Sequence, residues 1–338
     1  RSGKQGLSLS GIQEPHGGSW PLKTSSIKAL CRATGSAFIN PGRGICPPAW
    51  GLVLPAKGGT MKIENVGLLS MPADQYHAHP AVGHSGLVRI MRSPAHYREY
   101  VTNPPPPTPA MQLGTAFHVA LLEPDRLRET FVVAPKFDRR TKEGRAAAEV
   151  WESENAGKTA LTAEQMVAIQ QMVTSVISHA GAAKLLSNGL AEMSGFWSDH
   201  ETGIECKCRP DFLAITGETI TGIVDVKTTS DASADGFARA IATLGYDVQA
   251  AFYQDGLKAL TGRTIPFYFI AVEKEAPYAV AAYKASDEVI EVGRAKYRGA
   301  LQLLKWCREN DRWPAYQPNG EIETINLPRW AANFDLEG

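Results

Sequence analysis

The sequence predicts an α/β domain, with helices packed against a sheet. Three observations carry this reading. Residues 206–215 and 222–229 are short runs crowded with apolar and β-branched residues, and Thr216-Gly217-Glu218-Thr219 between them supplies turn chemistry, the pattern of a hairpin. Segments of helical period flank that hairpin at 111–122, 162–176, 232–260 and 291–308. Two further strand-like runs, 266–274 and 278–283, complete a sheet.

Composition bounds the class. A chain of 338 residues with 43% hydrophobic content can bury a sizeable core. Lys+Arg and Asp+Glu both number 35, so the zero net charge argues against nucleic-acid binding by bulk electrostatics and leaves room for a local basic groove around an acidic site. Five cysteines at scattered spacings (Cys31, Cys46, Cys206, Cys208, Cys307) fit a reducing cytoplasm better than a disulfide framework. The Cys206/Cys208 pair lacks the four well-spaced ligands of a zinc or iron-sulfur site. No run reaches the ~18 apolar residues of a membrane span, and no charged-then-apolar signal opens the chain. A soluble protein of the cytoplasm is expected. Gly157-Lys158-Thr159 lacks the leading glycine of a phosphate-binding loop, because position 152 is Glu152; no nucleotide cofactor is expected.

The chain reads in order as follows. Residues 1–60 are rich in Gly, Pro and Ser without sustained period, a flexible or poorly ordered extension; the chain begins with Arg1, and a coding start at Met61 is compatible with this. Residues 61–338 read as one domain: a helical part over 61–190, a catalytic sheet core over 191–290, and a C-terminal helix and tail over 291–338. His77, His79 and His84 sit in loop-like text, suited to surface or capping roles. Ser85 suits an N-cap, and Ser93-Pro94 ends one helix and begins another. After the stiff spacer at Pro104–Pro107, the 111–122 helix places Gly114 and His118 on one face.

Phe137-Asp138-Arg139-Arg140-Thr141-Lys142-Glu143-Gly144-Arg145 gathers four cations. Arg139, Arg140 and Lys142 there suit a loop that grips phosphates, or equally a solvated helix start. Thr162-Ala163-Glu164-Gln165 has the form of a capping box. Glu192 precedes a strand at 195–200 and reads as a further acidic ligand or a core-edge charge. The helical stretch 232–260 is broken near Gly245-Tyr246-Asp247, and its second half sets Gln249 and Tyr253 one turn apart on one face. The tail ending in Leu327-Pro328-Arg329-Trp330 reads as a packed aromatic terminus.

The hairpin carries the chemistry. The period-2 pleat puts Asp225 and Lys227 on one face, and Asp211 is expected on the neighbouring strand. Two carboxylates so close repel one another unless a cation lies between them, and hard oxygen donors select magnesium or manganese over zinc. The lysine then orients a water or offsets charge on a phosphoryl transition state.

Pro210-Asp211 followed, after thirteen intervening residues, by Asp225-x-Lys227 resembles the PD-(D/E)xK nuclease signature. Gly114/His118 before it and Gln249/Tyr253 after it are similar to the flanking motifs of the RecB-like subgroup. Ser93-Pro94-Ala95-His96-Tyr97, Gly114-Thr115-Ala116-Phe117-His118, Arg209-Pro210-Asp211, Asp225-Val226-Lys227-Thr228-Thr229 and Gln249-Ala250-Ala251-Phe252-Tyr253 resemble the RecE (exodeoxyribonuclease VIII) family of phage and prophage exonucleases over residues 76–330. The resemblance implies a restriction-endonuclease-like core, a central mixed sheet flanked by helices. It implies a Mg2+-dependent 5′ to 3′ exonuclease, with Mn2+ able to substitute, that acts on double-stranded DNA ends in a bacterial host and leaves 3′ tails for a RecT-like annealing protein. His118, Asp211, Asp225 and the Val226 carbonyl are then metal ligands, Lys227 positions the attacking water, and Gln249 with Tyr253 contacts the strand or braces the site. A homo-oligomeric ring is a further implication. A single-strand-directed or endonucleolytic relative, or a non-catalytic DNA-binding one, is the alternative.

Overall fold

The computed structural model describes residues 67–317 and 319–328. The 1–60 extension and the tail residues Arg329 and Trp330 lie outside the described residues. The strands in chain order are β1 (Leu68–Ser70), β2 (Phe131–Val133), β3 (Thr159–Leu161), β4 (Gly189–Ala191), β5 (Met193–Ser198), β6 (Glu205–Cys208), β7 (Phe212–Thr216), β8 (Thr219–Thr229), β9 (Phe267–Glu273) and β10 (Val280–Lys284).

The central sheet is mixed, in the order β10-β9-β8-β7-β4. β7 and β8 form the expected antiparallel hairpin, turning at Gly217 with φ 61, a left-handed angle that glycine adopts without steric cost. β8 and β9 are parallel, and parallel neighbours need a crossover. The helices Ala234–Leu244 and Tyr246–Thr261 supply it, meeting at Gly245 with φ 73.

Helices cover both faces of this sheet, which is why the middle of β8 reads as almost continuously apolar. Ile223 packs with Phe267 and Phe269 on the face that meets the helices Tyr246–Thr261 and Asp287–Asn310. Val224 and Val226 pack with Ile270 and Val272 on the other, against Pro109–Leu122 and Ala163–Ser178. Each of these fully buried aliphatic or aromatic side chains stabilises the fold by about 1.5–3 kcal/mol. A second, antiparallel sheet has the order β1-β5-β6, and a parallel pair joins β2 to β3.

The run 206–215 is not one strand. The chain leaves β6 in the second sheet, bends through Arg209-Pro210-Asp211 and enters β7 in the central sheet. Pro210 has no N–H for a ladder, so pairing stops there. Asp211 therefore sits at the corner between the sheets, just before β7.

Smaller corrections follow the same logic. Gly83, and not Ser85, is the N-cap of the helix His84–Arg92, and His77 lies in the short helix Ala73–Ala78. Ser93 caps the next helix, Pro94–Thr102, by accepting from the His96 N–H. The capping box at Thr162 and Gln165 is present. Trp313 stacks on Tyr97, while residues 319–328 form no helix or strand and Ile322, Ile325 and Leu327 are exposed. No helix among the described residues is long and apolar enough to cross a membrane.

Candidate active site

The site lies where β8 runs past the start of β7. Asp225 and Lys227 share a face of β8, and Lys227 Nζ is 2.5 Å from Asp225 Oδ2. Asp225 is fully buried. Gln249, one turn into the helix Tyr246–Thr261, donates from Nε2 to Asp225 Oδ1 at 2.6 Å.

Asp211 reaches the same volume from the corner. Its Oδ2 accepts the Val226 N–H at 2.7 Å, across an edge of β8 that β7 pairs only as far as Val224. The N–H and C=O of one residue leave a strand on the same side, so the Val226 carbonyl faces this volume too. His118 comes from the helix Pro109–Leu122 on the opposite layer, with Nδ1 3.6 Å from Asp211 Oδ2.

Glu192 joins them. It links β4 to β5 with φ 54, a left-handed angle that costs a side-chain-bearing residue energy and persists only where the surroundings enforce it. Here its N–H donates to the Asp211 carbonyl at 3.0 Å and its carboxylate accepts from Arg209 Nε at 2.6 Å. Arg209 is itself fixed by the Met71 carbonyl and Ser194 Oγ, both at 2.9 Å.

Burial pushes the Asp225 carboxyl up to about 6 against the pull of Lys227. Burial disfavours protonated His118, yet the Asp211 carboxylate outweighs it and holds the imidazole at about 9. Lys227 is likewise raised, burial being outweighed by Asp225. Asp211 is held low, against burial, first by His118. Burial and the Asp211 charge push Glu192 up to about 7.

These residues fit a divalent cation. One ligand atom each from His118, Glu192 and Asp211 lies within 4.8 Å of the others. The buried Asp225 Oδ2 meets no partner but the Lys227 ammonium. A donor set of carboxylates with one imidazole suits a hard or borderline ion.

Other expected residues fall elsewhere. Tyr253 is only 7% exposed and packs beside Phe252 and Phe267 in the core. The Arg139–Lys142 segment is exposed and leads into a helix. Arg139 pairs with Glu152 and Arg140 with Asp138, Lys142 begins the helix Lys142–Glu154, and among the described residues no hydrogen bond or ion pair links the segment to Asp211 or Asp225. Cys206 and Cys208 are buried core thiols, each pushed up to about 12 by burial. Sequence reasoning missed the roles of Arg209, adjacent to Pro210-Asp211, and of His84, whose Nε2 lies 2.9 Å from the Gly245 carbonyl. It also missed Tyr246, three residues before Gln249, whose ring faces Lys227.

A mixed sheet covered on both faces, with acids and a lysine converging at the edge of one hairpin, defines the PD-(D/E)xK nuclease class. The chain matches the family described as PDDEXK-like domain of unknown function (DUF3799) over residues 83–328, and it belongs to that family. A protein of Eubacterium rectale described as a candidate exonuclease has a TM-score of 0.54 at 11% identity, covering 79% of this chain and 100% of that one. That likeness is one of fold. The alkaline exonuclease of Laribacter hongkongensis is more distant, with a TM-score of 0.25 at 14% identity over 59% of this chain and 96% of that one. No curated protein matches the sequence.

Proposed function

We propose that the chain is a metal-dependent, RecE-like exonuclease that resects the 5′ strand of duplex DNA from its ends and leaves 3′ tails for a RecT-like annealing protein. The observation that carries the nuclease reading is the convergence of His118, Glu192 and Asp211 beside the buried Asp225–Lys227 pair. The direction of resection, the annealing partner, the bacterial cytoplasm and a homo-oligomeric ring rest on the resemblance of the ordered motifs. Mg2+, with Mn2+ as substitute, is the ion the oxygen-rich donors suit.

Bound among His118, Glu192, Asp211, Asp225 and the Val226 carbonyl, a divalent ion supplies Lewis-acid polarisation of the phosphoryl oxygen. The protein's own groups do the rest. Lys227 orients the attacking water and offsets negative charge that develops on phosphorus. Gln249 fixes the orientation of Asp225 by donating to Oδ1. Arg209 does the same for Glu192.

The test is linear duplex DNA labelled at the 5′ or the 3′ end, incubated with Mg2+ or with EDTA, for wild type and for Lys227→Ala and Asp225→Ala. Early release of 5′ label as short products, abolished by EDTA and by both substitutions, is the expected result. Release of 3′ label first would overturn the polarity, and cleavage of closed circular DNA would make the enzyme an endonuclease. DNA binding without cleavage by all three proteins would leave a binding module.

A further inference from the structure

The helix Tyr246–Thr261 touches the proposed catalytic pair twice. Gln249 donates to Asp225 Oδ1 at 2.6 Å. One turn earlier, at the helix start, the Tyr246 ring lies under the Lys227 ammonium, with Nζ 4.8 Å from the ring centroid. Asp225 and Lys227 thus each meet a different residue of a single rigid element.

Lysine carries a point charge on a flexible four-carbon stem, so a charge partner alone does not fix where its three donors point. Here Asp225 Oδ2 is 2.5 Å from Nζ. One oxygen attracts the ammonium without fixing where its other two donors point. An aromatic face does orient it, because its negative quadrupole draws the cation to the ring centre. The attraction is strongest when water is excluded, and the Lys227 side chain is only 17% exposed.

The ring is held for that purpose. It packs against Phe237 and Phe269, with centroids 6.2 and 6.4 Å away. The turn that presents it is pinned, since His84 Nε2 lies 2.9 Å from the Gly245 carbonyl and Gly245 has φ 73.

We infer that Tyr246 is a positioning residue for Lys227: its ring face, and not its hydroxyl, holds the ammonium against Asp225 so that the remaining donor directions face the scissile phosphate. The inference rests on the nuclease reading for its consequence in rate, and on geometry alone for the contact.

The experiment compares wild type, Tyr246→Phe and Tyr246→Leu by kcat and KM on end-labelled duplex with Mg2+, by thermal unfolding, and by the NMR shifts of the Lys227 ε-methylene protons. Tyr246→Leu is expected to lower kcat about tenfold with KM unchanged, and Tyr246→Phe to recover most of that rate. The ε-methylene resonances should be shifted upfield by the ring in wild type and Tyr246→Phe and return to ordinary values in Tyr246→Leu. Equal rates in all three proteins, a phenylalanine variant as slow as the leucine one, or a change in KM alone would overturn the inference. If wild type does not cleave, the nuclease reading fails by itself; upfield ε-methylene protons would still support the contact, and unshifted ones would overturn it whether or not the leucine variant folds.

Discussion

Two clusters of buried acids lie on the helix Tyr246–Thr261 and its surroundings, and they are finished differently. Where this helix meets Asp287–Asn310, Asp255 accepts from Arg294 Nε at 2.7 Å, Arg294 NH2 at 2.9 Å and Tyr297 OH at 2.5 Å, and Asp247 accepts from Lys296 at 2.5 Å. Both oxygens of Asp255 are saturated. At the edge of β8, Asp225 is buried more completely, and its Oδ2 meets only the Lys227 ammonium. A saturated carboxylate holds the fold together, whereas one with lone pairs to spare can take a ligand.

The sharpest way to break the comparison is to neutralise one acid on each side. Asp225→Asn should lower DNA cleavage by at least about 10²-fold, and any stability it loses should trace to the Lys227 ammonium left without its carboxylate. Arg294→Met should spare the site. It leaves cleavage intact and, because Arg294 is partly exposed, lowers stability by about 1–3 kcal/mol in urea denaturation. If both variants lose only stability, the two clusters are alike and the distinction fails.

Acid sharpens it further. Burial works against ionised Asp255, yet Arg294 and Tyr297 outweigh burial and hold its carboxyl below the ordinary value. A depressed folded pKa contributes stability that is present above the unfolded value of about 4 and lost as pH falls through the folded one. Denaturation midpoints should therefore drop between about pH 4 and pH 2 in wild type, and the drop should be shallower in Arg294→Met.

Two glycines give the smallest effects. Gly245→Ala meets both φ 73 and Val88 Cγ2 at 3.2 Å from the added Cβ, and should destabilise by about 1 kcal/mol. Gly114 lies mid-helix one turn from His118, and an added Cβ there meets nothing within 4 Å. Gly114→Ala should stabilise by up to ~1 kcal/mol; Gly114→Phe should fold but slow cleavage by filling the approach to the site. Calorimetry alongside the cleavage assay reads both.

The saturated seam and the site were unequally legible. Asp225 and Lys227 followed from the pleat, and His118 from its place on an apolar helix within the ordered motifs. The position of Asp211 did not, because Pro210 ends one strand and the next belongs to another sheet, so that local alternation cannot say where the corner falls. Glu192 was open between ligand and edge charge; what sets its place beside Asp211 is a left-handed backbone and an arginine seventeen positions on, neither visible in composition. His84 and Tyr246 lie more than 160 positions apart in sequence and meet through the Gly245 carbonyl, a contact that local pattern does not encode. At 137–145 the four cations allowed a phosphate grip or a solvated helix start, and the acids Asp138 and Glu152 that pair with Arg140 and Arg139 on the surface were not foreseen.

The most direct measurement is a Mn2+ titration followed by the electron paramagnetic resonance of the free ion, on wild type, Asp211→Asn, Asp225→Asn and Arg294→Met. The account predicts that wild type and Arg294→Met remove free Mn2+ alike, and that both aspartate variants leave most of it in solution. Free Mn2+ undiminished by wild type, or removed equally by all four proteins, would contradict it.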